Sequence, residues 1–317
     1  MFSRRLLRIK IMQGLYSYFK TGDKSMEVAE RELFVSLHRS YHLYHLLLLL
    51  IVALSFHARK KIEQAREKKI PTKEDLDPNE RFINNRIILQ VENNKNLKQY
   101  IQSNSLGWSQ SPELIRTLFQ LIEESDCYRN YMSLEAPSYE DDKRVITEIY
   151  QDVLNTSDAL YQSLEEQSIF WNDEVDYIIL MIIKTLNEFG PDDPDSKAFM
   201  PEFRDDEDLD FTRDMLRKTI LRQDETLEYI KRYTDNWDAE RLAFIDLLLM
   251  QMAITEMIEF PFIPTKVTLN EYIDIAKYYS TRNSNVFING VLDKITHFLK
   301  KEKIIVKKGK GLIGENE

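Results

Sequence analysis

Apolar residues recur at helical spacing from the start of the chain. Leu7, Ile11, Leu15 and Tyr18 lie at i, i+4, i+8 and i+11, which is one stripe of an amphipathic helix over residues 6–19. The stripe predicts a helix whose apolar side packs against a core.

Basic residues lie beside this first stripe. Continuing the helix towards the N-terminus places Arg4 and Arg8 close to the apolar side. Because unpaired arginines are not buried, we expect the first turn to overhang the packed body or to be non-helical. In either case the arginines are expected to project into solvent.

A longer helical pattern covers residues 26–69 and ends before Pro71. Its apolar run from Leu46 to Leu54 is shorter than the ~18 residues that indicate a membrane span. We therefore interpret the run as part of a buried core helix. A peripheral membrane helix is the weaker alternative, since basic residues follow the run at 59–61.

The middle of the chain continues in helical patterns. They cover residues 80–102, 111–132, 139–166 and 172–189, and Ser111-Pro112 and Asn172-Asp173 are candidate helix starts. An acidic segment follows, and we predict that it is a solvated linker. Its acids are Asp192, Asp193, Asp195, Glu202, Asp205, Asp206, Glu207, Asp208 and Asp210.

The C-terminal part predicts four more helices. The first has its apolar stripe between residues 216 and 230, and the second, over 242–258, is apolar on nearly every face, as a central bundle helix is. Trp237 and Asp238 precede the second helix as a hydrophobic staple and cap. Residues 267–279 and 286–298 form the other two, separated by a polar turn. With only 8 Gly and 9 Pro in 317 residues, the chain is predicted to be all-α.

Charge is distributed unevenly along the chain. The formal net charge is −10, yet both ends are basic. Since nucleic acid responds to the local field of a surface, the overall negative charge does not exclude RNA binding. Cys127 is the single cysteine, so an internal disulfide is impossible and a reducing, cytoplasmic location fits. No signal peptide is recognised at the N-terminus.

Candidate chemistry is sparse. His38, His42 and His45 share one helix face and could offer imidazoles to a metal, but the neighbouring tyrosines and leucines favour a packed aromatic seam. The glycines form neither a GxGxxG turn nor a P-loop. We therefore predict no catalytic residue, no metal site, no cofactor and no enzymatic activity.

Motifs at both ends resemble the NusB family of transcription antitermination factors. The C-terminal segments are DAERLAFIDLLLMQMAITEM, IPTKVTLNEYIDIAKYYS and SNVFINGVLDKI, the opening is SRRLLRIKIMQGLYSY, and DFTRDML lies between them. The positions that match the family pattern are Arg4, Arg5, Arg8, Gln13, Leu15, Tyr16, Phe211, Arg213, Asp214, Pro264, Lys266, Val267, Asn270, Glu271, Ala276, Lys277, Phe287, Asn289, Gly290, Val291, Leu292 and Asp293.

The resemblance implies a NusB-like helical bundle with a large helical insertion. Residues 1–25 would supply the first core helix with its basic N-terminus, and residues 206–300 the rest of the core. The insertion would occupy 26–205; this range includes the acidic linker and has room for one core helix. Residues 301–317 would form a basic flexible tail.

The resemblance also implies a function. Members of the family bind the single-stranded boxA element of nascent ribosomal RNA together with NusE, a ribosomal protein, within the RNA polymerase antitermination complex. RNA contact is expected from Arg4, Arg5 and Arg8, and from Lys277, Arg282, Asn283 and Ser284 near the polar turn. Gln13 and Tyr16 are expected to face the protein partner.

Several alternatives stay open. Lys277 is equally well interpreted as a phosphate ligand or as a surface lysine that packs along its stem. A NusB-like domain attached to an RNA methyltransferase would need a glycine-rich α/β domain, which this chain lacks. A helical scaffold protein without an RNA role is the alternative from another class. A homo-oligomer is also compatible with the sequence.

Overall fold

The computed structural model describes residues 1–168, 170–171, 174–234 and 243–315. Throughout these ranges the secondary structure is helical and contains no strand, which confirms the all-α prediction. The α-helices are α1 Arg4–Thr21, α2 Met26–Arg66, α3 Lys73–Leu76, α4 Arg86–Asn93, α5 Lys95–Asn104, α6 Pro112–Glu124, α7 Asp126–Ser133, α8 Tyr139–Glu148, α9 Asp158–Gln167, α10 Val175–Asn187, α11 Asp206–Leu221, α12 Gln223–Tyr233, α13 Phe244–Glu259, α14 Thr265–Tyr279 and α15 Ser284–Lys301.

The chain divides into two compact units. Unit 1 contains Met1 and Leu37–Glu202, and unit 2 contains Phe2–Ser36 and Phe203–Glu317. Helix α2 therefore contributes residues 26–36 to unit 2 and the rest of its length to unit 1. Unit 2 is assembled from two stretches of sequence that are far apart along the chain.

Helix α1 follows its predicted stripe. Leu7, Ile11 and Leu15 are fully buried. The hydroxyl of Ser3 accepts a hydrogen bond from the backbone N–H of Leu6 and caps the helix start. At the other end Gly22 adopts the left-handed conformation, with φ of 70°, and ends the helix.

Helix α13 is the centre of unit 2. It packs against α1, α11, α12, α14 and α15, and its side chains from Leu248 to Met257 are buried on every face. The prediction of an apolar central helix is therefore confirmed. The expected staple and cap at Trp237 and Asp238 lie outside the described residues.

In unit 1 the apolar stretch of α2 forms the core. By length and composition α2 is apolar enough to cross a membrane, but most of that stretch is buried inside the protein. Buried polar groups from other parts of unit 1 bond to its carbonyls. The indole N–H of Trp108, in the connection between α5 and α6, donates to Leu46 O at 2.9 Å, and the hydroxyl of Tyr150 donates to Leu47 O at 2.7 Å. The core-helix interpretation is confirmed.

Three predicted long helices of unit 1 are broken into shorter ones. The Asn94 side chain accepts from Leu97 N at 2.9 Å and starts α5, which divides the 80–102 pattern. Ser125 likewise separates α6 from α7, and Ser157 starts α9 after a π-helical segment at Ile149–Leu154. Asn and Ser side chains compete for backbone N–H groups, so they favour caps over helix interiors. The 172–189 pattern forms α10, while Asn172-Asp173 lies outside the described residues.

The linker prediction is wrong for the last acidic residues. Asp205 caps α11 by accepting from Asp208 N at 2.9 Å, and Asp206, Glu207 and Asp208 form the first helical turn. Carboxylates are stabilised there by the positive end of the helix dipole. Asp208 is also buried, so this acidic cluster is part of the folded body of unit 2.

The residues predicted as a flexible tail pack onto unit 2 as far as the structure describes them. Ile305 and Lys307 are buried, and Gly309–Leu312 forms a 3-10 helix. A lysine-rich sequence alone is typical of a solvated end, which is why the sequence predicts a flexible tail. The apolar and backbone contacts of these residues hold the segment on unit 2 instead.

The three histidines of α2 lie in an aromatic seam, as predicted. The His45 ring stacks on Tyr100 with centroids 3.7 Å apart, and its Nδ1 lies 2.9 Å from Tyr41 O. The Nε2 atoms of His38 and His42 are 2.9 Å apart. Burial lowers the pKa of His42 and that of His45 to about 4.

Mild acid is expected to destabilise this seam. Unfolded histidine has a pKa of about 6.5. Between about pH 6.5 and about pH 4 the unfolded chain therefore binds more protons than the folded one, and stability falls as the pH falls. We expect the loss to be on the order of 2 kcal/mol, measured as the free energy of unfolding in urea at about pH 7.5 and about pH 5. Glu202 has the opposite effect on stability. Burial raises the pKa of its carboxyl, so the folded chain binds this proton more readily than the unfolded one as the pH falls.

Variants separate the histidine contribution. His45→Phe keeps a ring against Tyr100 but cannot be protonated, so its stability should depend less on pH. His297→Phe changes an exposed histidine of α15 and is the matched control. If His45→Phe lost as much stability in mild acid as the unaltered protein, His45 would not be the cause of that loss.

Candidate nucleic-acid interface

The opening arginines of α1 are held by carboxylates of unit 2. Arg4 Nε donates to Asp208 Oδ1 at 2.8 Å, and its guanidinium lies 5.0 Å from the centroid of the Phe211 ring. Arg4 thus joins the first turn of α1 to α11. It is part of a structural contact as well as a surface cation.

Arg5 lies on the side of α1 that faces α14. Its Nε and Nη2 donate to the two carboxylate oxygens of Glu271 at 2.9 Å each, and Nη2 also donates to Asp274 at 3.1 Å. The hydrogen bond with Glu271 is the main reason that the pKa of Arg5 is raised. The Arg5 side chain is nevertheless 47% exposed, so one side of the guanidinium is open to solvent.

Arg8 is buried, contrary to the expectation that it projects. Its side chain is 3% exposed, and Nε and Nη2 donate to the two oxygens of Glu256 at 2.7 Å each. The hydroxyls of Thr268 and Tyr272 also donate to Glu256, at 2.8 and 3.0 Å. The Arg8 guanidinium is therefore enclosed inside unit 2 and does not lie on its surface. A fully hydrogen-bonded partner removes most of the penalty for burying its charge.

Both members of this pair stay charged. Burial works against charge on Arg8, but the charge of Glu256 outweighs it and raises the pKa of Arg8. Burial likewise favours a protonated Glu256, yet Arg8 and the two hydroxyls hold the pKa of Glu256 below its usual value. Sequence reasoning missed Glu256, although an acid inside the apolar α13 was a signal for a buried cation.

The polar turn between α14 and α15 has a buried side and an exposed side. Ser284 is buried and donates to Asp246 Oδ2 at 2.7 Å, and Ser280 also donates to Asp246. Arg282 and Asn283 are exposed. Ser284 is predicted to contact RNA, but the structure places it on the buried side of the turn, where its hydroxyl fixes the turn onto α13.

Loss of the Ser284 hydroxyl should destabilise unit 2. In Ser284→Ala the buried Asp246 loses one donor, and we expect a decrease of about 1–2 kcal/mol in the free energy of unfolding. Asn283→Ala in the same turn removes an exposed side chain and should change it by less than about 0.5 kcal/mol. Urea denaturation of both variants tests this, and equal effects would refute the assigned role.

Two predicted cations that are distant in sequence meet on α14. Lys277 Nζ donates to Asp274 Oδ1 at 2.7 Å, while Arg5 donates to the other oxygen of the same carboxylate. Arg282 and Asn283 follow at the end of this helix. Arg282 forms no ion pair with any carboxylate that the structure describes. We call Arg5, Lys277, Arg282 and Asn283 the α14 surface.

The predicted partner-binding residues lie further along α1. Tyr16 is 41% exposed, and its ring makes an edge contact with Phe244 at 5.4 Å between centroids. Lys20 Nζ lies 4.3 Å from the centroid of the same Phe244 ring. Gln13 is half-buried. Tyr16 and Lys20, on the accessible side of α1, therefore both contact the ring of Phe244 at the start of α13.

Comparisons with known proteins agree with the resemblance. The NusB family model matches residues 179–297. The transcription antitermination protein NusB of Salinibacter ruber is 37% identical over 139 residues, which cover 42% of this chain and 87% of that protein. The chain belongs to the NusB family. No solved structure gave a significant match.

Two further relatives carry the same name. The protein of Chloroherpeton thalassium is 37% identical over 120 residues, or 37% of this chain and 57% of that protein. That of Natranaerobius thermophilus is 40% identical over 76 residues, or 24% of this chain and 55% of that protein. The chain thus spans most of the first relative and little more than half of these two.

Proposed function

We propose that this protein is a non-enzymatic, cytoplasmic transcription antitermination factor. It binds boxA-type single-stranded RNA of nascent ribosomal transcripts, together with a NusE-type ribosomal protein, in the antitermination complex of RNA polymerase. Membership of the NusB family supports the role in transcription, since the relatives described above are named for it.

The observation that carries RNA binding is the α14 surface. Asp274 brings Arg5 and Lys277 together, and Arg282 adds an exposed guanidinium at the end of the helix. Phosphates can replace the carboxylate partners of Arg5 and Lys277. Arg282 has no carboxylate partner among the described residues, so a phosphate can bind it directly. With three phosphates bound, the affinity should fall with salt at a log-log slope of about −2.

Arg8 and Arg4 have a positioning role in this proposal. Arg8 ties α1 to Glu256 on α13, and Thr268 and Tyr272 connect that carboxylate to α14. This network fixes α1 beside α14, so Arg5 is held on the RNA-binding side. The buried arginine acts through geometry and has no direct RNA contact.

The accessible side of α1 is the proposed site for the NusE-type partner. Tyr16 and Gln13 supply an exposed aromatic ring and an amide, the kinds of group that are common in protein interfaces. We further propose that unit 2 is the NusB-like core and that most of unit 1 is inserted into it. The family match nevertheless begins at residue 179, within α10 of unit 1.

RNA binding by the full chain tests the function. Fluorescence anisotropy with labelled boxA-type RNA, with and without the NusE-type protein, should show binding that the partner strengthens and that a scrambled RNA of equal length reduces. The scaffold alternative predicts equal, weak binding to both RNAs. That result would overturn the proposal, because the internal ion pairs of the arginines would then be their only role.

A further inference from the structure

The C-terminal segment is anchored on the junction between α13 and α14. The backbone N–H of Lys308 donates to Pro261 O at 2.9 Å, and the buried amine of Lys307 donates to Phe260 O at 3.2 Å. Further along, Glu315 accepts from Thr265 N at 2.9 Å. Contacts at both ends therefore hold the segment in one place on unit 2.

Gly311 shows how closely the segment approaches this junction. A Cβ atom at this position would lie 1.9 Å from Pro261 O, far inside van der Waals contact. Only glycine allows the backbone to come so near. The close contact fixes the neighbouring residues Lys308 and Lys310 relative to the junction.

The outer side of this segment combines cations with an exposed aromatic ring. Phe262 is 65% exposed, and a Cβ at Gly309 would lie 3.4 Å from its ring. Lys308 and Lys310 flank Gly309 and are exposed, and neither pairs with a carboxylate among the described residues. We call Phe262, Lys308 and Lys310 the C-terminal surface.

We propose that the C-terminal surface is a second binding site for single-stranded RNA. The lysines would neutralise phosphates and the exposed face of Phe262 would stack on one base, which is the combination that holds single strands without sequence preference. The site rests on the proposed RNA-binding function and extends it to RNA that flanks the boxA-type element.

An anionic membrane is the competing ligand, since Leu312 and Ile313 are also exposed nearby. RNA is favoured because the backbone that carries the two exposed lysines packs on an exposed aromatic ring at Gly309, and because unit 2 also carries the α14 surface. Vesicles of phosphatidylserine and phosphatidylcholine serve to test the membrane directly.

The experiment compares two RNAs. One is a short boxA-type RNA, and the other is the same RNA extended at both ends by unstructured uridine tracts. The extension should strengthen binding to the unaltered protein about tenfold. Lys308→Glu with Lys310→Glu should abolish that gain, reduce the salt slope by about 1.4 and leave the short RNA unaffected. Lys69→Glu with Lys73→Glu in unit 1 is the control.

Two further variants test the geometry. Phe262→Leu should lose most of the gain without a change of charge, and Gly311→Ala should lose it by displacing the segment from Pro261. Circular dichroism checks that each variant is folded.

The outcomes are distinguishable. Absence of binding to the short RNA contradicts the proposed function and this site with it. Normal short-RNA binding with no gain from the extension, or a gain that survives all variants, overturns this site alone. The site is also overturned if Lys308→Glu with Lys310→Glu lowers the affinity for vesicles but leaves binding to both RNAs unchanged.

Discussion

Glu256→Gln is expected to lower the free energy of unfolding by about 3–5 kcal/mol. The substitution keeps the shape of the side chain but leaves the Arg8 guanidinium buried without its counter-charge. Thr268 and Tyr272 donate to the same carboxylate, so their hydrogen bonds weaken as well. Chemical denaturation in urea, followed by circular dichroism, measures the effect.

The matched control is Glu225→Gln in α12. Glu225 pairs with Arg222 at the surface, where ion pairs contribute less than about 1 kcal/mol. Combining Glu256→Gln with Arg8→Met removes both charges and should restore part of the lost stability. A Glu256→Gln variant as stable as the control would mean that the buried pair does not hold α1 to α13.

Neutralising the α14 surface is expected to weaken RNA binding about 100-fold at low salt. The variant combines Arg5→Gln, Lys277→Gln and Arg282→Gln and so removes three proposed phosphate contacts. Its salt slope should change from about −2 to near zero. The loss should be similar for boxA-type and scrambled RNA, because phosphate contacts carry no sequence information.

Three exposed cations of unit 1 supply the control. Lys98→Gln, Arg116→Gln and Arg129→Gln change the net charge equally and should leave RNA affinity within about threefold of the unaltered protein. If the control loses as much affinity as the α14 variant, the binding depends on overall charge and not on that surface.

Periodic patterns predicted the helices that pack by one face or by all faces. The stripe of α1 and the apolar sequence of α13 each specify burial locally, and both are found as expected. The predicted long helices of unit 1 failed because single capping residues such as Asn94 and Ser157 redirect the backbone without interrupting the apolar spacing. Cap chemistry therefore needs to be weighed at every Asn and Ser.

The site was predicted less completely, for a reason that lies in tertiary structure. Whether Arg8 projects or is buried depends on Glu256, which is 248 residues away in sequence. Ser284 depends in the same way on Asp246, at a separation of 38 residues. The exposure of the other predicted residues does not depend on a distant partner. These are Lys277, Arg282 and Asn283, and all three lie on the surface.

Cross-linking of a photoreactive boxA-type RNA to the full chain measures where the RNA lies. With 4-thiouridine in the RNA and mass spectrometry of the peptides, the α14 surface predicts cross-links at the turn around Arg282 and at the start of α1. Cross-links confined to unit 1, with none in these two segments, would contradict the proposed interface.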